Sequence, residues 1–162
     1  MAASRFPAPA PDNDFLAGHV AQLCASYRHW TLRDLITPRA DPATTARAVF
    51  EAPFALLSHG GGPDPVFDYG NRMALQLFEA SWEELTSLPS RLSAEPEARE
   101  ERARLLAEVA SRGYIEDYSG VRVSRRGRRF RIARATVWNL LDNAGRPCGQ
   151  AALFRDWQPW AP

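Results

Sequence analysis

Apolar residues recur along this chain at two different periods, and the change from one to the other divides it. Leu16, Val20, Leu23, Tyr27 and Trp30 are spaced by four, three, four and three positions, which puts them on one stripe of a helix starting near Asp12. Thr31 with Asp34 offers a capping box for a short turn, and Asp41-Pro42 opens a further helix reaching about Phe50. Before these, residues 1–11 carry Pro7, Pro9 and Pro11 among small residues and read as a flexible, solvated tail.

After Pro53 the pattern becomes that of strands. Phe54 to His59 is a short apolar strand, the glycines of 60–62 make a turn, and Val66 to Tyr69 is the returning strand. Asn71 caps a short helix through Phe78, and Ser81-Trp-Glu-Glu84 is a capping box for another. A longer helix is expected from Pro96 to Arg112, with Ala98, Leu105, Leu106 and Val109 on one side, acidic residues at its start, and Gly113 as its stop. Three strands close the chain: Tyr114 to Ser124, Phe130 to Leu141 and Cys148 to Trp157. Alternation holds in Val121-Arg-Val123 and Phe130-Arg-Ile132 and breaks at Ala133-Arg-Ala135, where a bulge would restore one buried face.

The expected fold class is therefore α+β. A five-stranded antiparallel sheet has short helices inserted between strands two and three, helices precede it, and one sheet face is exposed or covered by a partner. The divisions are a tail (1–11), a helical preface (12–52), the sheet domain (53–158) and a C-terminal tail (159–162).

Composition narrows the function classes. With 162 residues the chain is of single-domain size, and 20 basic against 19 acidic residues leave a net charge of +1, which argues against a general polyanion binder. No apolar run is long enough for a membrane span, and two distant cysteines, Cys24 and Cys148, suggest a reducing, cytoplasmic setting rather than a disulfide scaffold. His19, His29 and His59 show no metal-ligand spacing. No nucleophile–base pair, carboxylate pair or phosphate loop is evident, so an enzyme is not expected. Seven arginines between Arg122 and Arg134 could form an anion or nucleic-acid patch; a solvated hairpin face is the plainer reading.

Specific strings add a resemblance. Tyr69-Gly-Asn71, then Ser81-Trp-Glu-Glu-Leu85, and at the end Asp142-Asn-Ala-Gly145 with Leu153-Phe-Arg-Asp156, are similar to the PAS pattern. Ala52-Pro-Phe-Ala55, Ser58-His-Gly60, Phe67-Asp-Tyr-Gly-Asn71, Leu88-Pro-Ser-Arg91, Gly113-Tyr-Ile115, Ser119-Gly120, Thr136-Val-Trp138 and Asp156-Trp157 resemble the MEKHLA family more narrowly, over about residues 14–158. That family comprises stand-alone bacterial and algal proteins and a PAS-like domain of plant homeodomain leucine-zipper regulators. The six-letter string that names it is absent here, as are a homeodomain and a zipper. Light-sensing PAS domains carry a Cys-Arg pair where this chain has Ser90-Arg91, so no cysteinyl-flavin photochemistry is expected.

The resemblance implies a non-enzymatic sensory or small-molecule-binding domain, expected to signal in trans because no output domain follows. Its candidate pocket comprises Phe54, Leu56, His59, Tyr69, Asn71, Met73, Leu77, Trp82, Trp138 and Phe154, chosen as aromatic and apolar walls with a few polar groups. His59 ends a strand lining that pocket and is its only candidate haem contact, a role the sequence argues against; the ligand itself is not written there. The alternative is a protein-interaction module with a filled core, dimerising through Leu16, Val20, Leu23, Tyr27 and Trp30. Partners are thus a small molecule, a protein or a second copy, with no membrane and no nucleic-acid role expected.

Overall fold

A computed structural model describes residues 4–161. Helix α1 (Ala17–Thr31) carries the expected stripe but begins later than Asp12, because the preceding residues form a 3-10 turn (Pro11–Leu16). Within it Asp14, Phe15 and Leu16 take left-handed φ values of 54°, 54° and 58°. Asn13 braces the approach, accepting from the Ala10 amide at 3.0 Å and donating to the Ala8 carbonyl at 2.8 Å. The Thr31–Asp34 box does not form. Thr31 instead donates back to the Tyr27 carbonyl, and Asp34 pairs with Arg28. Asp41 does cap α2 (Pro42–Phe50), accepting from the Thr44 amide at 2.8 Å.

The hairpin follows as β1 (Ala55–Gly60) and β2 (Phe67–Gly70), then α3 (Arg72–Leu77), α4 (Trp82–Leu85), a 3-10 turn (Ser90–Ser93) and α5 (Pro96–Arg112). The Ser81 box on α4 is complete in both directions, at 3.1 and 2.9 Å. Gly113 ends α5 at φ +99°, a conformation that a side chain resists, and a Cβ there would also strike the Trp30 ring.

Strands β3 (Tyr114–Val123), β4 (Arg129–Leu141) and β5 (Pro147–Phe154) complete an antiparallel sheet in the order β2-β1-β5-β4-β3. The expected third closing strand is two. It breaks at Arg155, and β6 (Asp156–Pro159) then pairs with the first half of β4, Ile132 opposite Trp157. The break falls where β4 changes partner, at Arg134, whose left-handed φ of 53° supplies the bulge expected between Ala133 and Ala135. The shift keeps Phe130 and Ile132 on the same sheet face as Ala135, at the cost of a continuous β5. The C-terminal tail consequently starts one residue after Pro159, and the Trp160 amide still bonds to Arg129.

Helices cover both faces of the sheet, so no face waits for a partner. On the outer face Leu56, Trp138, Leu140, Ala151 and Leu153 pack under Val20, Leu23 and Tyr27 of α1 and Val49 and Phe50 of α2. Trp138 is fully buried and meets Tyr27 edge-on with ring centroids 5.0 Å apart. On the inner face Ala55, Leu57, Ala135 and Phe154 pack against Ala74, Phe78 and Leu85, and Val137 against Leu105 and Val109 of α5. The opening segment is part of this structure rather than a solvated tail. Phe6 packs on the His19 ring, its carbonyl accepts from the Trp82 indole at 2.9 Å, and Arg5 pairs with Asp68. Residues 1–3 of that expected tail lie outside the described residues.

Candidate functional site

The inner layer is not completely filled. Between the sheet and α5 lies a cavity of about 60 Å3, room for a few water-sized groups. Strand alternation turns Leu57 and His59 of β1, Gln150, Ala152 and Phe154 of β5, and Val137 of β4 toward it. Arg102, Leu105 and Leu106 face them from α5, Phe78 from the end of α3, and Tyr118 and Arg122 from β3. A bulge between Ile115 and Tyr118 puts an extra residue in β3, the shift between Tyr118 and Gly120 is the Arg134 bulge of β4, and Gly120 leaves the space in which the Tyr118 ring lies.

A polar row crosses the apolar wall. His59 pairs in register with Gln150 and Gln150 with Asn139 on the next strand. The Gln150 amide donates to the Leu106 carbonyl at 3.1 Å and to the Asn139 carbonyl oxygen Oδ1 at 3.2 Å, tying the sheet to α5. His59 donates from Nδ1 to the Gly60 carbonyl at 2.8 Å, and its buried Nε2 has no partner. Burial lowers the His59 pKa, the Gly60 bond opposes that, and the Arg102 charge lowers it further, so the ring is neutral with a lone pair at Nε2.

Two guanidinium groups share the cavity. Arg102 is 9% and Arg122 7% exposed. Arg122 donates to the Val121 carbonyl at 2.8 Å and to the Tyr118 hydroxyl at 3.2 Å, both uncharged acceptors. Burial first, and the nearby Arg122 charge second, pull Arg102 down to about 10.

The structure separates the sequence candidates. His59 and Phe154 line the cavity. Phe54, Leu56, Tyr69, Trp82 and Trp138 belong to the outer layer beneath α1, because Leu56 and His59 lie on opposite faces of one strand. Asn71 is a brace: its Oδ1 accepts from the Leu56 and Ala74 amides and its Nδ2 donates to the Val49 and Phe54 carbonyls. Met73 and Leu77 pack beside the inner core without reaching the cavity. The stripe set out for dimerisation is spent on the chain's own sheet, with Val20, Leu23 and Tyr27 buried and the Trp30 indole donating to the Asn139 carbonyl.

Among the polar lining residues, Arg102 and Gln150 escaped the sequence reading and Arg122 entered it only as part of the arginine hairpin, although each left a signal. Arg102 falls on the apolar stripe between Ala98 and Leu105, Gln150 interrupts an apolar strand, and Arg122 sits between two valines. The valines were expected inside; the β3 bulge between Ile115 and Tyr118 reverses the phase, so Arg122 is buried while Val121 and Val123 are half-exposed. The rest of the arginine hairpin is largely neutralised in place. Arg125 pairs with Glu84, Arg128 with Glu79, Arg129 with Glu95 and Arg134 with Asp156.

One cluster imitates a catalytic triad and is wired otherwise. Ser58 donates to Asp68 Oδ1 at 2.5 Å, so His19 Nε2, 2.9 Å from the same hydroxyl, must be the donor to it. Its Nδ1 has no partner, whereas a triad carboxylate would orient that atom and leave Nε2 free to accept the serine proton. The cluster fastens β1 and β2 to α1. Among the described residues no group of three or more His, Cys, Asp or Glu side chains could hold a metal ion, and no helix is long and apolar enough to cross a membrane. A flavin does not fit the residues present: the cavity is too small for a tricyclic ring, and Cys24 and Cys148 lie outside its lining.

Comparison with known proteins places this geometry. The MEKHLA domain profile matches residues 17–159. A PAS domain from Colwellia psychrerythraea superposes with a TM-score of 0.61 at 15% identity, covering 70% of this chain and 93% of that one. The light-state dimer of the fungal blue-light photoreceptor Vivid gives 0.57 at 14% identity, covering 92% and 96%. A PAS domain from a two-component sensor histidine kinase gives 0.53 at 17%, covering 70% and 91%. No curated protein sequence matches the chain.

Proposed function

The chain belongs to the MEKHLA domain family and has the PAS-like fold of sensory domains, and from that premise we propose that it is a non-enzymatic sensor that binds a small molecule and passes the event to a separate protein. The observation that carries this reading is the cavity between β1, β3–β5 and α5, where His59, two arginines, Tyr118 and Gln150 interrupt a mainly apolar wall. A structural core of this size would be expected to fill such a space. The reversed proton order of Ser58, His19 and Asp68 supports a role in binding rather than catalysis. Occupancy changes the packing of α5, and Asn139 links α5 to α1, which offers the changed surface to a partner.

The test is to purify the protein under native conditions, unfold it, and identify released small molecules by mass spectrometry, with Ala152→Phe as a control that blocks the cavity. A stoichiometric compound present in the wild type and absent from the folded variant is the expected result. Release of the same compound from both would place binding elsewhere and remove the proposal.

A further inference from the structure

Burying an ionised group is expensive unless a counter-charge meets it, and a buried pair that loses one partner leaves the other strongly destabilising. Arg102 and Arg122 stand in the position of such half-pairs. Both are more than nine-tenths buried, they line one cavity, and among the described residues no carboxylate forms an ion pair with either. Thirteen arginine–carboxylate ion pairs elsewhere among the described residues show that acids were available on this chain for arginines. The acid nearest in kind, Asp68, is taken by Arg5 and Ser58.

Resting on the small-molecule reading above, we propose that the cavity ligand is a small organic carboxylate, held between the guanidinium groups of Arg102 and Arg122. Planar guanidinium forks match a carboxylate in two parallel hydrogen bonds, which a lysine in the same place could not supply. Tyr118 adds a third group, since its hydroxyl accepts from Arg122 and keeps its own proton to donate. His59 Nε2, on the same lining, is an acceptor for a hydroxyl or N–H on the ligand, and Leu57, Phe78, Leu105 and Phe154 enclose its apolar body. Those walls favour a carboxylate carrying a short hydrocarbon over a phosphate, whose three oxygens would need polar partners all round. The volume of about 60 Å3 limits the body to a few carbon atoms.

The experiment titrates isotope-labelled protein with acetate, propionate, butyrate and lactate, each against its primary amide, while amide and side-chain resonances of His59, Arg102, Tyr118 and Gln150 are followed. At least one acid is expected to shift these resonances at least tenfold more tightly than its amide, with Arg102→Gln and Arg122→Gln each losing that tenfold and Arg102→Lys keeping part of it. Equal binding of acid and amide would overturn the carboxylate and leave the small-molecule cavity standing. Shifts from neither would overturn both. A ligand-free readout runs beside it: Arg102→Met is expected to raise the thermal midpoint, because it removes an uncompensated buried charge. A lowered midpoint would make Arg102 a structural residue and contradict the proposal.

Discussion

Trp30 in α1 donates its indole N–H to the carbonyl of Asn139 at 3.0 Å, while the side-chain amide of that same Asn139 donates to the Val109 carbonyl in α5 at 3.1 Å. One residue of β4 therefore holds the helix over the outer face and the helix over the cavity. Its Oδ1 also receives Gln150, a cavity-lining residue. Replacing Asn139 with Leu removes its bonds to the Val109 carbonyl and from the Gln150 amide, leaving the first with only the Gly113 amide at 2.8 Å and the second with only the Leu106 carbonyl at 3.1 Å. Destabilisation of about 1–3 kcal/mol is expected from the two lost buried hydrogen bonds, read as a lowered urea midpoint at unchanged m. A change within experimental error would show that the amide does not tie the layers.

Tyr69 gives the opposite sign. Its ring is fully buried between His19 and Trp82, with centroids 5.7 and 5.8 Å away, yet its hydroxyl has no partner. Burial pushes the phenol pKa upward. Tyr69→Phe keeps the packing and deletes the idle oxygen, so stability should be unchanged or rise by up to about 1–2 kcal/mol. A clear loss in the urea midpoint would mean that the hydroxyl is engaged.

Acid should weaken the fold before its carboxylates titrate. Burial holds both His19 and His59 below the ordinary value of 6.5, against the opposing effects of Asp68 on one and Gly60 on the other. Above that value folded and unfolded chains are both neutral at these rings, and pH has no effect through them. Below it the unfolded chain takes up protons that the folded chain refuses, and stability falls until the lowered folded values are reached. Urea midpoints between about pH 7.5 and 5.5 should decline, with a shallower slope in His59→Gln. A flat profile across that range would contradict the buried neutral rings.

The two thiols should separate under alkylation. Burial raises Cys24 to about 11, and it packs against the outer core, whereas burial also raises Cys148 at the start of β5 but the hydrogen bond its sulfur accepts from Gln22 opposes the rise. Iodoacetamide at mildly alkaline pH is expected to label Cys148 well before Cys24 in the folded protein, and both alike after unfolding. Peptide mapping that finds Cys24 labelled first would overturn this order.

Much of the architecture was legible in the sequence because local chemistry and periodicity agreed there. Asp41, Asn71 and Ser81 act as the caps their positions suggested, and Gly113 ends the long helix. What failed was the assignment of faces. A strand's alternation says that Leu56 and His59 differ in direction but not which direction holds a cavity, and helices on both sides made either face look like a core. The bulges in β3 and at Arg134 shift the phase mid-strand, so the valines beside Arg122 misled while the arginine itself was the buried residue. The β5–β6 break was hidden for the same reason: nothing in Phe154 to Trp157 marks a change of strand until β4 is known to bend. Residues 4–6 were discounted for their proline-rich surroundings, although Phe6 was free to pack on His19.

The central claim is that a small molecule in the α5-side cavity is sensed at α1. The most direct measurement is hydrogen exchange, read by mass spectrometry, on natively purified protein and on the same protein after unfolding, dialysis and refolding. Loss of protection is expected in α5 and β3 on removal of the ligand, with a smaller loss in α1 around Trp30, the helix that Asn139 connects. Identical exchange before and after, or a change confined to α1 with α5 untouched, would contradict the account.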